Sequence, residues 1–262
     1  MNLGIWYEEG YAYVAGGAGT EDSIAENREA FRRWRIVPRI LRDVSERDPS
    51  IELFGDRLPS PFLLAPIGAL EMVHDEADLA AGRAAAEEGI PLVFSSQASV
   101  PMEEVAEAMG DAPRWFQLYW STSDELVESF VARAETAGCS ALVVTLDTTL
   151  LGWRPRDLDL AHLPFLRGMG IAQYTSDPAF NRLIEEETHR RENLSQNRPL
   201  TLSTLKSLFD LVTSYPGSLL ENLRSGEPIR AVQTFIDIYS RPSLTWDDLA
   251  FLRNLTDLPI ST

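Results

Sequence analysis

Four apolar runs constrain this chain more than any other feature: FLLAPIG (Phe62 to Gly68), PLVFSS (Pro91 to Ser96), RWFQLYW (Arg114 to Trp120) and ALVVTLDT (Ala141 to Thr148). The first, second and fourth are almost unbroken in apolar residues rather than alternating. That pattern belongs to strands buried on both faces, as in a parallel sheet. The runs start at residues 62, 91, 114 and 141, which leaves room in each gap for the helix that a parallel crossover requires. The chain therefore reads as an α/β fold in which strands and helices alternate.

The helices between the runs are legible. HDEADLAAGRAAAEEG offers Asp75 as N-cap and Gly89 as stop, and PMEEVAEAMG is a shorter helix of the same kind. TSDELVESFVARAETAG carries Thr122 and Glu125 at capping-box spacing. In it Leu126, Val127, Phe130, Val131 and Ala134 make one apolar face, and Gly138 ends the helix. After Thr148 the rhythm stops. From Leu150 to about Pro242 no buried strand is evident, and NRLIEEETHRREN, TLSTLKSLFDLV and GSLLENLRSG read as surface or interface helices. So long a stretch after a strand's C-terminal end suggests a lid or substrate loop. The pattern resumes with a helix over Trp246 to Leu255 and the start of a strand at Leu258.

Composition narrows the function classes. There are 40 Asp and Glu against 23 Lys and Arg, for a net charge of -17. Such a surface repels nucleic acid and anionic membranes, so neither is expected as a partner. The single cysteine, Cys139, excludes an intrachain disulfide and reads as a buried, inert thiol, in keeping with a reducing cytoplasmic setting. The N-terminus lacks a signal peptide's basic region and long apolar core, and no window is long and apolar enough for a membrane span. His74, His162 and His189 lack metal-ligand spacing and read as surface or capping residues, so no metal is expected.

Functional side chains of α/β units gather where strands end and loops open. Here those ends carry Gly68, Ser95, Gln117 with Tyr119, and Thr145 with Asp147. Residues two apart on a strand share a side, so four neighbouring strands would aim amide, hydroxyl and carboxylate groups into one mouth. Ser95 and Asp147 also fit plain helix caps. Gln117 between Phe116 and Leu118 is harder to explain that way, because an amide in an apolar strand needs partners. Arg154 could be a solvated loop charge and Tyr13 a packed aromatic. Gly16, Gly17 and Gly19 read as a flexible turn rather than a phosphate cradle.

Taken in order, YAYVAGGAGTEDSIAENREAFRRWRIVPRIL, FLLAPIGAL, EEGIPLVFSSQAS, PRWFQLYW, VVTLDTTLLGWRPRDL and RPSLTWDDLAFLRNLTDLPI resemble the FMN-dependent 2-hydroxy acid oxidase family over nearly the whole chain. APIGAL and the stretch around LPFLRGMGIAQYTSDP look most like its lactate 2-monooxygenase branch. The resemblance implies a (β/α)8 TIM barrel with FMN at its C-terminal mouth and an L-2-hydroxy acid such as lactate, with O2, as substrates. It implies that Ala65, Pro66, Ile67 and Gly68 line the flavin ring through backbone, and that Ser95, Gln117 and Thr145 hydrogen-bond its polar edge. Tyr13 and Tyr119 would bind substrate or departing ketone, Arg154 would hold the substrate carboxylate, and Asp147 would orient and charge-stabilise a catalytic histidine.

The family's lysine on the fifth strand, its catalytic histidine and its phosphate-binding loops have no counterpart in this sequence. The resemblance therefore implies an incomplete barrel: an N-terminal helical segment over 1–60, strands one to four over 61–149, a helical lid insert over 150–242, and a helix with the start of strand five over 243–262. On this reading the chain is the N-terminal part of a flavin oxidase, inactive alone. Alternatives are a half-barrel subunit that assembles with a complementary C-terminal half, and a non-catalytic interaction protein. A homo-oligomer is a further expectation, since open sheet edges invite association.

Overall fold

The computed structural model describes residues 8–150, 152–160, 162–191, 209, 211–213 and 215–262. They fall into two units, one of Met1–Pro61 with Leu151–Leu163, the other of Phe62–Leu150 with Pro164–Thr262.

In the larger unit a four-stranded parallel sheet runs in chain order: β3 (Leu92–Phe94), β4 (Arg114–Tyr119), β5 (Leu142–Thr145) and β6 (Ile260–Ser261). Phe94 pairs with Phe116, Tyr119 with Thr145 and Leu142 with Ile260. Three apolar runs thus form parallel strands as expected, and the run beginning at Leu258 supplies the fourth. The run at 62–68 does not form a full strand. It touches the sheet at one parallel bridge, Leu64 to Leu92, where Leu64 N donates to Pro91 O (2.9 Å) and Val93 N to Leu64 O (3.0 Å). Pro66, two residues on, has no N–H to continue the ladder, which accounts for the shortening.

Helices fill the crossovers: α3 (Ala77–Glu88), α4 (Met102–Met109) and α5 (Asp124–Thr136). α3 stops at Gly89 in the left-handed region (φ 65°) as expected, but its N-cap is Glu76 rather than Asp75, without a side-chain bond. The ring Nδ1 of exposed His74 instead accepts from Glu76 N (3.1 Å). α5 is capped one residue later than the sequence suggests: Ser123 Oγ, not Thr122, accepts from Leu126 N (3.3 Å). The capping box occurs instead at Thr245 and Asp248, ahead of α11 (Leu249–Leu255). All five apolar positions of α5 are buried, and Phe130 meets Phe116 of β4 edge-on at 5.9 Å. Each of the four larger side chains contributes about 1.5–3 kcal/mol by leaving water, and Ala134 less.

Residues after 163 add α7 (Ala172–Thr175), α8 (Pro178–Arg191), α9 (Leu219–Ser225) and α10 (Glu227–Ile238) to the same unit. Helices were expected near 181–193 and 217–226. α10 was not, and most of the one read from TLSTLKSLFDLV lies outside the described residues. Tyr174, fully buried, stands at the centre of an aromatic cluster with Phe130 (5.1 Å), Phe180 (5.6 Å) and Phe235 (4.8 Å). Asp177 fastens α8 to α5, accepting from Ser129 Oγ (2.8 Å) and Arg133 Nη1 (3.0 Å). Cys139 is buried and its thiol is pushed up to about 12 by desolvation, in accord with an inert role.

The smaller unit holds α1 (Glu8–Ala15), α2 (Asp22–Phe31), α6 (Pro155–Asp159) and an antiparallel hairpin of β1 (Ile51–Leu53) and β2 (Asp56–Leu58). Gly16 is not an ordinary flexible position, because a Cβ there would lie 2.5 Å from Ala12 O. His162 is buried rather than at the surface. The side chain of His189 lies outside the description. Among the described residues no helix is long and apolar enough to cross a membrane.

Candidate functional site

Ser95 follows the last residue of β3, Gln117 lies on β4 and Thr145 ends β5. Their side chains form a continuous series: Ser95 Oγ donates to Gln117 Oε1 (3.3 Å) and Gln117 Nε2 donates to Thr145 Oγ1 (2.9 Å). Ser95 and Gln117 are buried and Thr145 half-buried, at consecutive C-terminal ends of one parallel sheet. The partners that a buried amide requires are therefore its two neighbours among the candidates. Ser95 Oγ also accepts from Gln97 N (3.0 Å), a local turn bond and not a helix cap, since the N-cap of α4 is Pro101.

Ser96 was not singled out by sequence, yet it locks the same place. Its fully buried Oγ donates to Gln117 O (2.6 Å) and accepts from Tyr119 N (3.0 Å), bridging the end of β3 to β4. Ser96→Ala is expected to cost about 1–3 kcal/mol, since a carbonyl and an amide lose their partner. Thermal unfolding checks this, and an unchanged melt would contradict it.

Tyr119 points to the same end. Burial pushes its phenol up from the ordinary tyrosine range, the Asp147 charge adds to the rise, and a hydrogen bond with Gln117 opposes it. It is thus a protonated donor at neutral pH, not a base. Asp147 lies exposed just beyond β5. Ala65 and Ile67 are exposed, and Pro66 and Gly68 half-buried. A Cβ on Gly68 would come within 3.0 Å of Gln97 Cβ, so this close approach suits glycine.

Tyr13 and Arg154 meet in the smaller unit. The Arg154 guanidinium lies over the Tyr13 ring, 4.7 Å from its centroid, and donates to Tyr13 O and to the buried Asp157 carboxylate. Arg154 is accordingly no free loop charge.

The flavin ring presents a neutral edge of carbonyls, ring nitrogens and one N–H. Ser95, Gln117 and Thr145 offer hydroxyl and amide groups that both donate and accept, without charge, and fit such an edge. None of these candidates is cationic, so a phosphate would have to be held elsewhere.

The profile of the FMN-dependent dehydrogenases matches residues 7–261. The chain belongs to the FMN-dependent dehydrogenase family. Among curated members it is 37% identical over 250 residues to the L-lactate oxidase of Lysinibacillus sphaericus, covering 95% of this chain and 55% of that protein. It is 33% identical over 250 residues to 2-hydroxyacid oxidase 1 of Mus musculus, covering 95% and 57%. Among solved structures it is similar to a mandelate oxidase (TM-score 0.67, 27% identity, 98% of this chain and 57% of that one). A lactate oxidase of Pediococcus acidilactici is equally similar (TM-score 0.67, 25% identity, 98% and 55%). This member of the family spans about half the length of the curated relatives it matches.

Proposed function

We propose that this chain supplies the flavin-ring edge and part of the substrate site of an FMN-dependent 2-hydroxy acid oxidoreductase, and that its sheet is the first part of a (β/α)8 barrel. The observation that carries this reading is the hydrogen-bonded series Ser95–Gln117–Thr145 at three consecutive strand ends of a chain in this family. Bound FMN would accept two electrons from the substrate and pass them to O2. Ser95, Gln117 and Thr145 hold the polar edge of the ring, and the backbone of Ala65 to Gly68 lies along it. Tyr119 donates its phenolic hydrogen to the substrate hydroxyl or the product carbonyl, and Tyr13 acts with it on the substrate. Arg154 binds the substrate carboxylate, in competition with Asp157 for its donors. Asp147, an exposed carboxylate, orients the base that removes the hydroxyl proton. That base is not among the candidate residues of this chain: His74 is engaged at the start of α3 and Tyr119 stays protonated. The finer reading extends to lactate as substrate and to the 2-monooxygenase branch.

A chimera tests the transfer of function. In the Lysinibacillus L-lactate oxidase the matched region is replaced by this chain. The expected product is a yellow protein whose flavin is reduced by L-lactate without oxygen. A chimera that melts cooperatively yet holds no flavin, or whose flavin no 2-hydroxy acid reduces, would overturn the proposal.

A further inference from the structure

Ala69 holds a backbone conformation that alanine rarely adopts. It lies in the left-handed region (φ 52°, ψ 42°), directly after Gly68, and is 1% exposed. Such strain persists only where the surroundings impose it, and it gathers at functional sites. Here two segments impose it. Ala69 N donates to Gln97 O (2.9 Å). Gly170, itself left-handed (φ 68°), packs so closely that a Cβ on it would lie 3.1 Å from Ala69 Cβ and 3.0 Å from Gln97 O.

Glu71 ties these segments together. Its N donates to Ser99 Oγ (3.0 Å) and its Oε1 accepts from Gly170 N (3.1 Å). Its Oε2 is buried with no hydrogen-bond partner among the described residues. The charge that faces it is Asp78 of α3, which shares a cavity of about 160 Å³ with Ala65 and Ile67. The two stretches that touch it, 95–100 and 169–173, hold no ionisable side chain, and His74 accepts from Glu76 N. A carboxylate at Glu71 therefore has one oxygen unserved and a like charge beside it. Parting from Gly170 admits the water it needs.

We propose that Glu71 is a proton-sensitive positioning residue of the flavin edge. While neutral it seats Gly170 on the strained turn at Ala69 and so fixes the backbone of Ala65 to Gly68, and its ionisation releases that seat. The inference rests on the flavin reading of Ala65 to Gly68. It also gives the left-handed Ala69 a role, because a turn held under strain springs away when its clamp opens.

Amide hydrogen exchange of the full chain, with no flavin present, tests it, so its failure is distinct from a failure of the flavin reading. Protection at Ala69 and Gly170, corrected for the intrinsic rate, should fall from pH 6 to pH 8 while the amides of α5 keep theirs. Only the part of the Glu71 window between pH 6 and about 7 counts, so the fall should be about tenfold. Glu71→Gln keeps an acceptor for Gly170 and cannot ionise, so its protection should be the same at both values. The Gly68 amide resonance reports the flavin-facing backbone. It should move over the same pH range in wild type and stay fixed in Glu71→Gln. A wild type indifferent to pH at Gly68, Ala69 or Gly170 would overturn the proposal. So would a fall that persists in Glu71→Gln, or one that α5 shares equally.

Discussion

Replacing Asp177 by alanine is expected to lower stability by about 3–5 kcal/mol, because one partner of a buried ion pair is removed. Asp177 is fully buried. Its carboxylate accepts from Ser129 Oγ and Arg133 Nη1, and it caps α8 by accepting from Ala179 N (2.8 Å) and Phe180 N (3.3 Å). Arg133, meanwhile, donates to Gln173 O (2.7 Å) and grips Glu103 through two bonds (2.7 and 2.9 Å). Truncation leaves the guanidinium short of a counter-charge and two helical amides without a cap. Asp177→Asn keeps an acceptor and should cost distinctly less. Urea unfolding measures both, and an alanine variant within about 1 kcal/mol of wild type would show that the α5–α8 junction does not depend on this carboxylate.

The second large effect depends on pH. Glu71 is pushed up to about 7, chiefly by burial, with the nearby Asp78 charge adding and a bond from Gly170 N (3.1 Å) opposing. Its other oxygen is buried with no hydrogen-bond partner among the described residues. Asp78 is itself pushed up to about 6 by burial, although Ser99 N (2.8 Å) and Val100 N (3.1 Å) donate to it. A carboxyl whose folded pKa exceeds its unfolded value stabilises the fold while protonated, and that stability disappears as pH rises to the folded value. For Glu71 the window runs from the ordinary 4.5 to about 7. Glu71→Gln keeps an acceptor for Gly170 and removes the ionisation. It should gain roughly 2 kcal/mol at pH 8, on the order of 4–8 °C in Tm, and almost nothing at pH 5. An equal effect at both values, or a loss at pH 8, would show that Glu71 does not ionise in this window.

How much of this was legible follows from what each feature depends on. Near-continuous apolar runs with helix-length gaps made β3 and β5 legible, and β4 could be read between them although Gln117 interrupts its apolar run. The run at 62–68 has the same composition, but Pro66 interrupts its ladder, and apolar counting does not register a missing N–H. Thr122 and Ser123 are both competent caps, and only the path of the chain into α5 chooses between them. Gln117 was found because an amide in an apolar strand demands partners. Ser96 was missed because, beside Ser95, only strand register distinguishes a side chain bound to β4 backbone from one bound to the Gln117 amide. Nothing in the sequence sets Glu71, Asp78 and Asp177 apart from the chain's other acidic residues. Their burial arises from segments distant in sequence, Gly170 for Glu71 and Ser129 with Arg133 for Asp177, and composition carries no trace of that.

The central claim is that the strand ends around Gln117 form a flavin-facing edge. The most direct measurement is an NMR titration of the labelled chain with FMN up to about 1 mM, where even a Kd in the millimolar range, ~4 kcal/mol, registers. The account predicts saturable shifts of the Gln117 side-chain amide and of the Ser95, Gly68 and Tyr119 backbone amides, abolished in Gln117→Leu while its melt stays cooperative. Shifts confined to other surfaces, or an unchanged response in Gln117→Leu, would contradict it.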